Sequence, residues 1–384
     1  PEYKYYILTD NINLGYSEWT PIGIYDNTNQ YFCGSLDGNG YTISDLYISG
    51  AATPYIGLFG DAKNSVFKNI TLAGTIEGIK VSDKDYIGGL CGYTEKTDFS
   101  DCKAAFFNIA GLENDSRLML WVGCLAGYTD DGNIINCKAE ECSINFKSGF
   151  CISGILAGAC NSTKISDCSV SSTESGLFSA SSNINTIIMG GICGDMGGTI
   201  ERCSVSAPYF ANTLQIKSMG TNLEYVGGLC GYVEGTVRAC SVQFNNGPEK
   251  TINGEDYKSS IYVMGNRVNV YMGGIAGKAS GAEIVDCKYN GQSITGMVTG
   301  GAYASDIGGI AGVNSKYSDK ELLIKRCIAN VDGILYGETV FYPIVGGILG
   351  EIEGGKVHIE SSLAIAKKID AKVTDLDETW DVER

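Results

Sequence analysis

The sequence predicts an all-β fold, a right-handed parallel β-helix of about nine coils. Three observations predict it. A glycine-bounded pentapeptide recurs nine times, a branched aliphatic occupies one position in every copy, and seven cysteines share a second register. Composition agrees: 52 glycines against 6 prolines, with 23 tyrosines, favour many short strands and turns over helices.

The pentapeptide, typified by GGLCG, ends at Gly60, Gly92, Gly127, Gly158, Gly194, Gly231, Gly277, Gly312 and Gly350. Spacings of 32, 35, 31, 36, 37, 46, 35 and 38 residues mark a repeat with variable insertions. Two positions before the final glycine stand Leu58, Leu90, Leu125, Leu156, Ile192, Leu229, Ile275, Ile310 and Ile348. About ten residues further on comes the second signature, centred on Cys102, Cys137, Cys168, Cys203, Cys240, Cys287 and Cys327. Columns of like residues are what stacked coils produce, because parallel strands about 4.8 Å apart set equivalent side chains over one another. The two signatures read as two strands of a coil, and the variable stretch as a third strand plus loop. A coil this short cannot bury its apolar face alone, so its stability comes from its neighbours. A leucine-rich repeat would need more leucines and an asparagine column. A β-propeller has a similar period, but the spacing is irregular and the Trp-Asp signature is missing.

The glycine unit with its following strand, as in GGLCGYVEGTVRACSV, resembles the GLUG motif. The opening YYILTDNINLG, WTPIG and GSLDGNGYTISDLYI resemble the segment that precedes such repeats in bacterial surface proteins. The likeness covers about residues 1–365. It implies a secreted or surface-attached protein of Bacteroides-type bacteria, with a β-helical body and a role in adhesion. Related repeats form non-catalytic regions of large immunoglobulin-cleaving metallopeptidases. This chain departs from the pattern in its cysteine load and in its first copy, where Ile56 stands in place of the leading glycine.

A formal charge of −16 without a lysine or arginine cluster argues against nucleic acid or an anionic membrane surface as partner. No apolar run reaches the roughly 18 residues of a spanning helix, so this segment is expected not to span a membrane. The opening PEYKYYILTD lacks signal-peptide regions, so the chain reads as a mature or trimmed segment. The expected location is extracellular or on the outer cell surface, with any lipid anchor upstream.

The cysteines number 15, and in the glycine unit Cys91, Cys193 and Cys230 interchange with Ala126, Ala157, Ala276 and Ala311. That is how a small buried hydrophobe behaves, so reduced thiols stacked inside are expected, with one or more bridges as the alternative. No C-x-x-C pair occurs and His358 is the only histidine, so neither zinc nor any other cofactor is expected. Asp37-Gly38-Asn39-Gly40 and Asp130-Asp131-Gly132-Asn133 read as tight turns rather than cation loops. The N-x-S/T triplets at Asn69, Asn114 and Asn161 read as accidental.

Residues 1–50 are assigned to an N-terminal cap packed by Trp19 and its tyrosines, 51–365 to the repeats, and 366–384 to a tail or cap. Parallel β-helices also carry polysaccharide-cleaving enzymes, and fold alone does not decide between the roles. Glycoside hydrolysis needs two carboxylates facing one bond, and no such signature, no HExxH and no triad around His358 is legible. The expectation is a non-enzymatic adhesin-like binding or spacer protein. Variable loops at 103–121, 138–152, 169–188, 204–225, 241–271, 288–306 and 328–344 would meet a glycan or a host or bacterial surface protein. The longest holds the polar insertion NNGPEKTINGEDYKSS, expected to stand out from the body. The alternatives are a polysaccharide lyase or hydrolase on the same scaffold, or a non-catalytic region of a larger surface peptidase. An enzyme would bring two or more carboxylates, or a cation, together in one groove along the rod.

Overall fold

A computed structural model describes residues 2–373 except 24–29, 51–52, 80–83, 114–118, 148–149, 174–176, 183–185, 248, 253, 300–302 and 316–317. For residues 84, 113, 147, 179–182, 211–222 and 250 only the backbone is described. The described residues form strands and turns with no helix. They stack as a parallel β-solenoid of three sheets with 9, 11 and 25 strands. The glycine sheet holds the strands that follow each pentapeptide, such as Cys91–Glu95 and Ala126–Asp130. The short sheet holds the three- or four-residue strands before each cysteine, such as Asp98–Ser100 and Asn133–Ile135. The long sheet carries the rest of each coil.

The predicted interior columns are continuous. The Leu90 amide donates to the Leu125 carbonyl at 3.0 Å, Leu125 to Leu156 at 3.0 Å and Leu156 to Ile192 at 3.2 Å. Ile192, Leu229, Ile275, Ile310 and Ile348 carry the ladder onward at 2.9–3.0 Å. From Leu58 to Ile310 these aliphatics are buried, and Ile348 packs half-buried on the same core.

The seven cysteines form a second buried column. The Cys137 amide donates to the Cys168 sulfur at 3.3 Å, Cys168 to Cys203 at 3.4 Å and Cys203 to Cys240 at 3.4 Å. In the last coil the Ser362 hydroxyl takes that place, accepting from the Cys327 amide at 3.1 Å. The column therefore needs a small acceptor that tolerates burial, because an interior amide left unpaired is costly. All fifteen sulfurs are thiols, and burial pushes Cys91, Cys151 and Cys230 above the ordinary thiol range.

The residue before each of these cysteines is left-handed, with φ between 51 and 58° from Asp101 to Arg326. Asn and Asp tolerate that conformation, whereas Arg202 and Arg326 are fastened by two-pronged pairs to Asp167 and Asp286 in the preceding coil. The Asp37 segment is a turn of the same kind: the Asn39 amide donates to Asp37 Oδ1 at 2.8 Å, and Asn69 Nδ2 donates to it at 3.0 Å. Asp131, with φ 52°, turns the chain between the strands Ala126–Asp130 and Asn133–Ile135.

Several expectations need correction. Lys4–Ile7 pairs with Gly34–Asp37, and Ile12–Asn13 with Ile43–Ser44, so the first 50 residues supply layers of the stack itself. Trp19 does pack there, its indole donating to the Leu58 carbonyl at 3.0 Å. The stack also passes residue 365, because Leu363–Val373 pairs with Ile328–Thr339; residues 374–384 lie outside the described residues. Ile56 pairs with Ile87, so the first copy is one residue shorter and its leading glycine is not replaced by isoleucine. The segments assigned to loops are largely long-sheet strands, as with Ser204–Ala207 and Ala211–Gly227. The insertion folds back as a hairpin, Glu249–Ile252 against Glu255–Lys258, because Ile252 buries itself with Ile334 and Tyr336.

Candidate functional site

The pentapeptide's glycines shape the outer surface. A Cβ on Gly190 would lie 2.1 Å from the Cys193 carbonyl oxygen, and one on Gly231 would lie 2.5 Å from the Met189 amide nitrogen. Only glycine permits so close an approach, and the same crowding recurs at Gly88, Gly123, Gly154, Gly227, Gly273 and Gly308. With no side chains on its outer face, the corner between long sheet and glycine sheet folds inward. The outward residues flanking it meet across the angle: Tyr86 and Tyr93 at 5.4 Å between ring centres, Trp121 and Tyr128 at 6.2 Å, Tyr225 and Tyr232 at 6.0 Å. Repeated coil upon coil, the corner becomes a groove along the rod that these side chains largely fill, Trp121, Ile152, Ile188, Tyr225 and Tyr271 being buried in it.

One wall is the register column Tyr55, Tyr86, Trp121, Ile152, Ile188, Tyr225, Tyr271, Asp306, Ile344. The other is Asp61, Tyr93, Tyr128, Ala159, Asp195, Tyr232, Lys278, Val313, Glu351. Near the N-terminal end the rings stack on one another, Tyr86 on Trp121 at 4.6 Å and 11°, Tyr93 on Tyr128 at 5.5 Å and 1°. Tyr86, Trp121 and Tyr128 belong to an apolar cluster separate from the solenoid core.

Carboxyls punctuate the apolar lining. Burial raises Asp61 to about 6, partly offset by Lys63. It raises Asp195 to about 7, with the neighbouring Glu234 adding repulsion. Asp306, fully buried, is pushed up by burial and then by Glu351 beside it, so it holds its proton well above the usual carboxylate range. A cavity of about 570 Å³ lies at this end, lined among others by Asp306, Glu351, Ile344 and Tyr342. Two lysines enter the groove. Lys63 lies 5.8 Å from the Tyr93 ring centre and 3.2 Å from Glu95, while Lys278 lies 4.9 Å from the Tyr225 ring centre and 3.2 Å from its hydroxyl.

The repeat glycines named from the sequence thus line the fold of this corner, with Leu90, Leu125 and Leu229 on its inner side and the cysteine column at a different corner of the coil. The groove residues themselves are not legible as a motif. The signal was present: the residue after each final glycine and the residue two before each leading glycine are enriched in Tyr, Trp and Asp. His358 is a half-exposed strand residue 3.6 Å from Glu360. Among the described residues no group of three or more His, Cys, Asp and Glu is placed to hold a metal ion, and no helix is long and apolar enough to cross a membrane.

No family model matches the chain, and no solved structure matches it. Over 75 residues it is 41% identical to a protein of Evansella cellulosilytica described as "Putative Gly-rich membrane protein". That stretch is 18% of this chain and spans only 8% of the relative's length.

Proposed function

We propose that this chain is a non-catalytic, adhesin-like binding rod that seats an extended glycan in the groove. The observation that carries the reading is the continuity of the corner: it presents aromatic edges, apolar floor and carboxyls from Tyr55 to Glu351 along one line. Aromatic and planar polar groups are what sugar surfaces meet, and a rigid scaffold avoids the ordering cost of binding with loops. The rod belongs on the outside of a bacterial cell, as the GLUG resemblance implies and the short match to a membrane-associated protein supports.

One observation favours the enzymatic alternative, since Asp306 and Glu351 converge in the groove. Both carboxyl oxygens of Asp306 are buried and without a hydrogen-bond partner among the described residues, however, whereas a glycosidase's acid must reach the glycosidic oxygen. The test is a glycan array with the purified chain, paired with reducing-end release assays on every glycan that binds. Binding without release, weakened in Tyr128→Ala, is the expected result. Release that disappears in Asp306→Asn would replace the binding role with an enzymatic one, and failure to retain any glycan would dismiss both.

A further inference from the structure

Both ends of the stack carry strands that pair on one side only among the described residues. At the N-terminal end these are Lys4–Ile7 and Ile12–Asn13, at the C-terminal end Leu349–Ile352, Val357–Glu360 and Leu363–Val373. The core is open at the same places. The column that begins at Tyr6 passes through Leu36, Phe67 and Phe99 and ends at Ile359, and every member between its two ends is buried. A second column runs from Ile12 to Ala364. In the glycine sheet one runs from Ile22 to Leu349 and another from Phe32 to Ile352. At the ends Tyr6, Ile12, Ile22, Ile352 and Ile359 are 39–56% exposed. A cavity of about 430 Å³ lies at the N-terminal end, lined by Tyr6, Ile12, Trp19, Ile22 and Phe32 among others.

Strand edges without a neighbour and an uncovered apolar cross-section together call for another layer of the same outline. A lipid would fill the cavity and leave the edges unpaired. A second copy supplies both, because each of these columns is apolar where it starts and where it finishes. Laid end on end in one register, Tyr6 of one copy meets Ile359 of the other, Ile22 meets Leu349, and Ile12 meets the small Ala364. Charge agrees with this register. Glu18, paired with Tyr47, starts the column that ends at Lys368, which bonds to Asp370 in its own strand and is still half-exposed. The formal charge of −16 opposes self-association at long range, but at physiological salt it is screened beyond about 8 Å. We infer that copies of this chain join head to tail, the Leu363–Val373 end of one seated on the Lys4–Ile7 end of the next, so that the three sheets run on from copy to copy. Such a contact is heterologous and does not close on itself, so it builds a filament.

The inference is independent of the glycan reading. The experiment is analytical sedimentation of the full chain at physiological salt, beside Tyr6→Lys, which blocks one end, and Ile359→Lys, which blocks the other. The unaltered chain is expected to form a series of assemblies that lengthens as its concentration rises from about 1 to 100 μM. Each variant alone should stay monomeric. An equimolar mixture of the two leaves one competent pair of ends, so it should form dimers and stop there. Melting temperatures should match the unaltered chain, since both side chains are half-exposed, and Ile22→Lys with Ile352→Lys tests the same two ends where either variant does not fold. An unaltered chain that stays monomeric throughout overturns the inference, as does assembly that both variants retain in full. Dimers formed by either variant alone overturn head-to-tail joining in favour of contact between like ends. Monomers that float with phosphatidylcholine vesicles, and cease to do so in Tyr6→Lys, overturn it in favour of a lipid surface.

Discussion

Two columns in this molecule are built by the same stacking and obey opposite rules. The interior cysteine column repeats one residue type from Cys102 to Cys327, closing with Ser362. The groove wall runs Tyr, Tyr, Trp, Ile, Ile, Tyr, Tyr, Asp, Ile across nine rungs of the same rise. Inside, each side chain answers to an identical environment above and below, so its size and its hydrogen-bond capacity are dictated. In the groove the backbone is equally regular but one side faces outward, and residue identity is free to vary with what lies there.

The contrast can be broken most severely at the glycines that create it. Gly190→Val drives atoms into the Cys193 carbonyl, with the Cys230 Cα only 2.6 Å from a Cβ, and is expected to cost more than about 4 kcal/mol. Loss of a cooperative melt, followed by circular dichroism, is the readout. Next comes the aliphatic ladder: Leu229→Ala leaves a cavity in a fully buried column and should destabilise by about 2–5 kcal/mol in urea unfolding.

Glu224 sharpens the comparison from the other side, because it is an interior position that breaks the interior rule. It aligns with Ile187 and Val270, and neither carboxyl oxygen finds a partner among the described residues. Burial raises its pKa well above 4.5, so the folded state takes up a proton and stability falls as pH climbs from 4.5 toward neutrality. Glu224→Leu should therefore gain about 1–3 kcal/mol at pH 7, and the gain should vanish near pH 4. The smallest effect separates chemistry from volume in the thiol column. Cys203→Val strands the Cys168 amide and should cost about 1–3 kcal/mol, whereas Cys203→Ser keeps an acceptor there and should cost less.

What could be read from the chain follows the same division. Leu58 to Ile348 and Cys102 to Cys327 announced the architecture, because interior positions repeat and repetition is visible without coordinates. The groove escaped because Tyr128, Ala159 and Asp195 are unlike one another, and only the register shows that they are neighbours. The variable segments looked like loops because their lengths differ, yet a long sheet absorbs extra residues by extending its strands, as in Glu255–Gly273. The fate of the insertion turned on Ile252, one apolar residue in a polar run, which is too small a signal to outweigh its surroundings.

A channel of uniform cross-section lets a polymer whose period matches the rungs slip by whole steps, since every phase is equivalent. Here no two neighbouring rungs of the glycine-sheet wall from Tyr128 to Glu351 carry the same residue, so that equivalence is absent. A regular backbone thus carries an irregular scale, on which each step is marked by its own side chain.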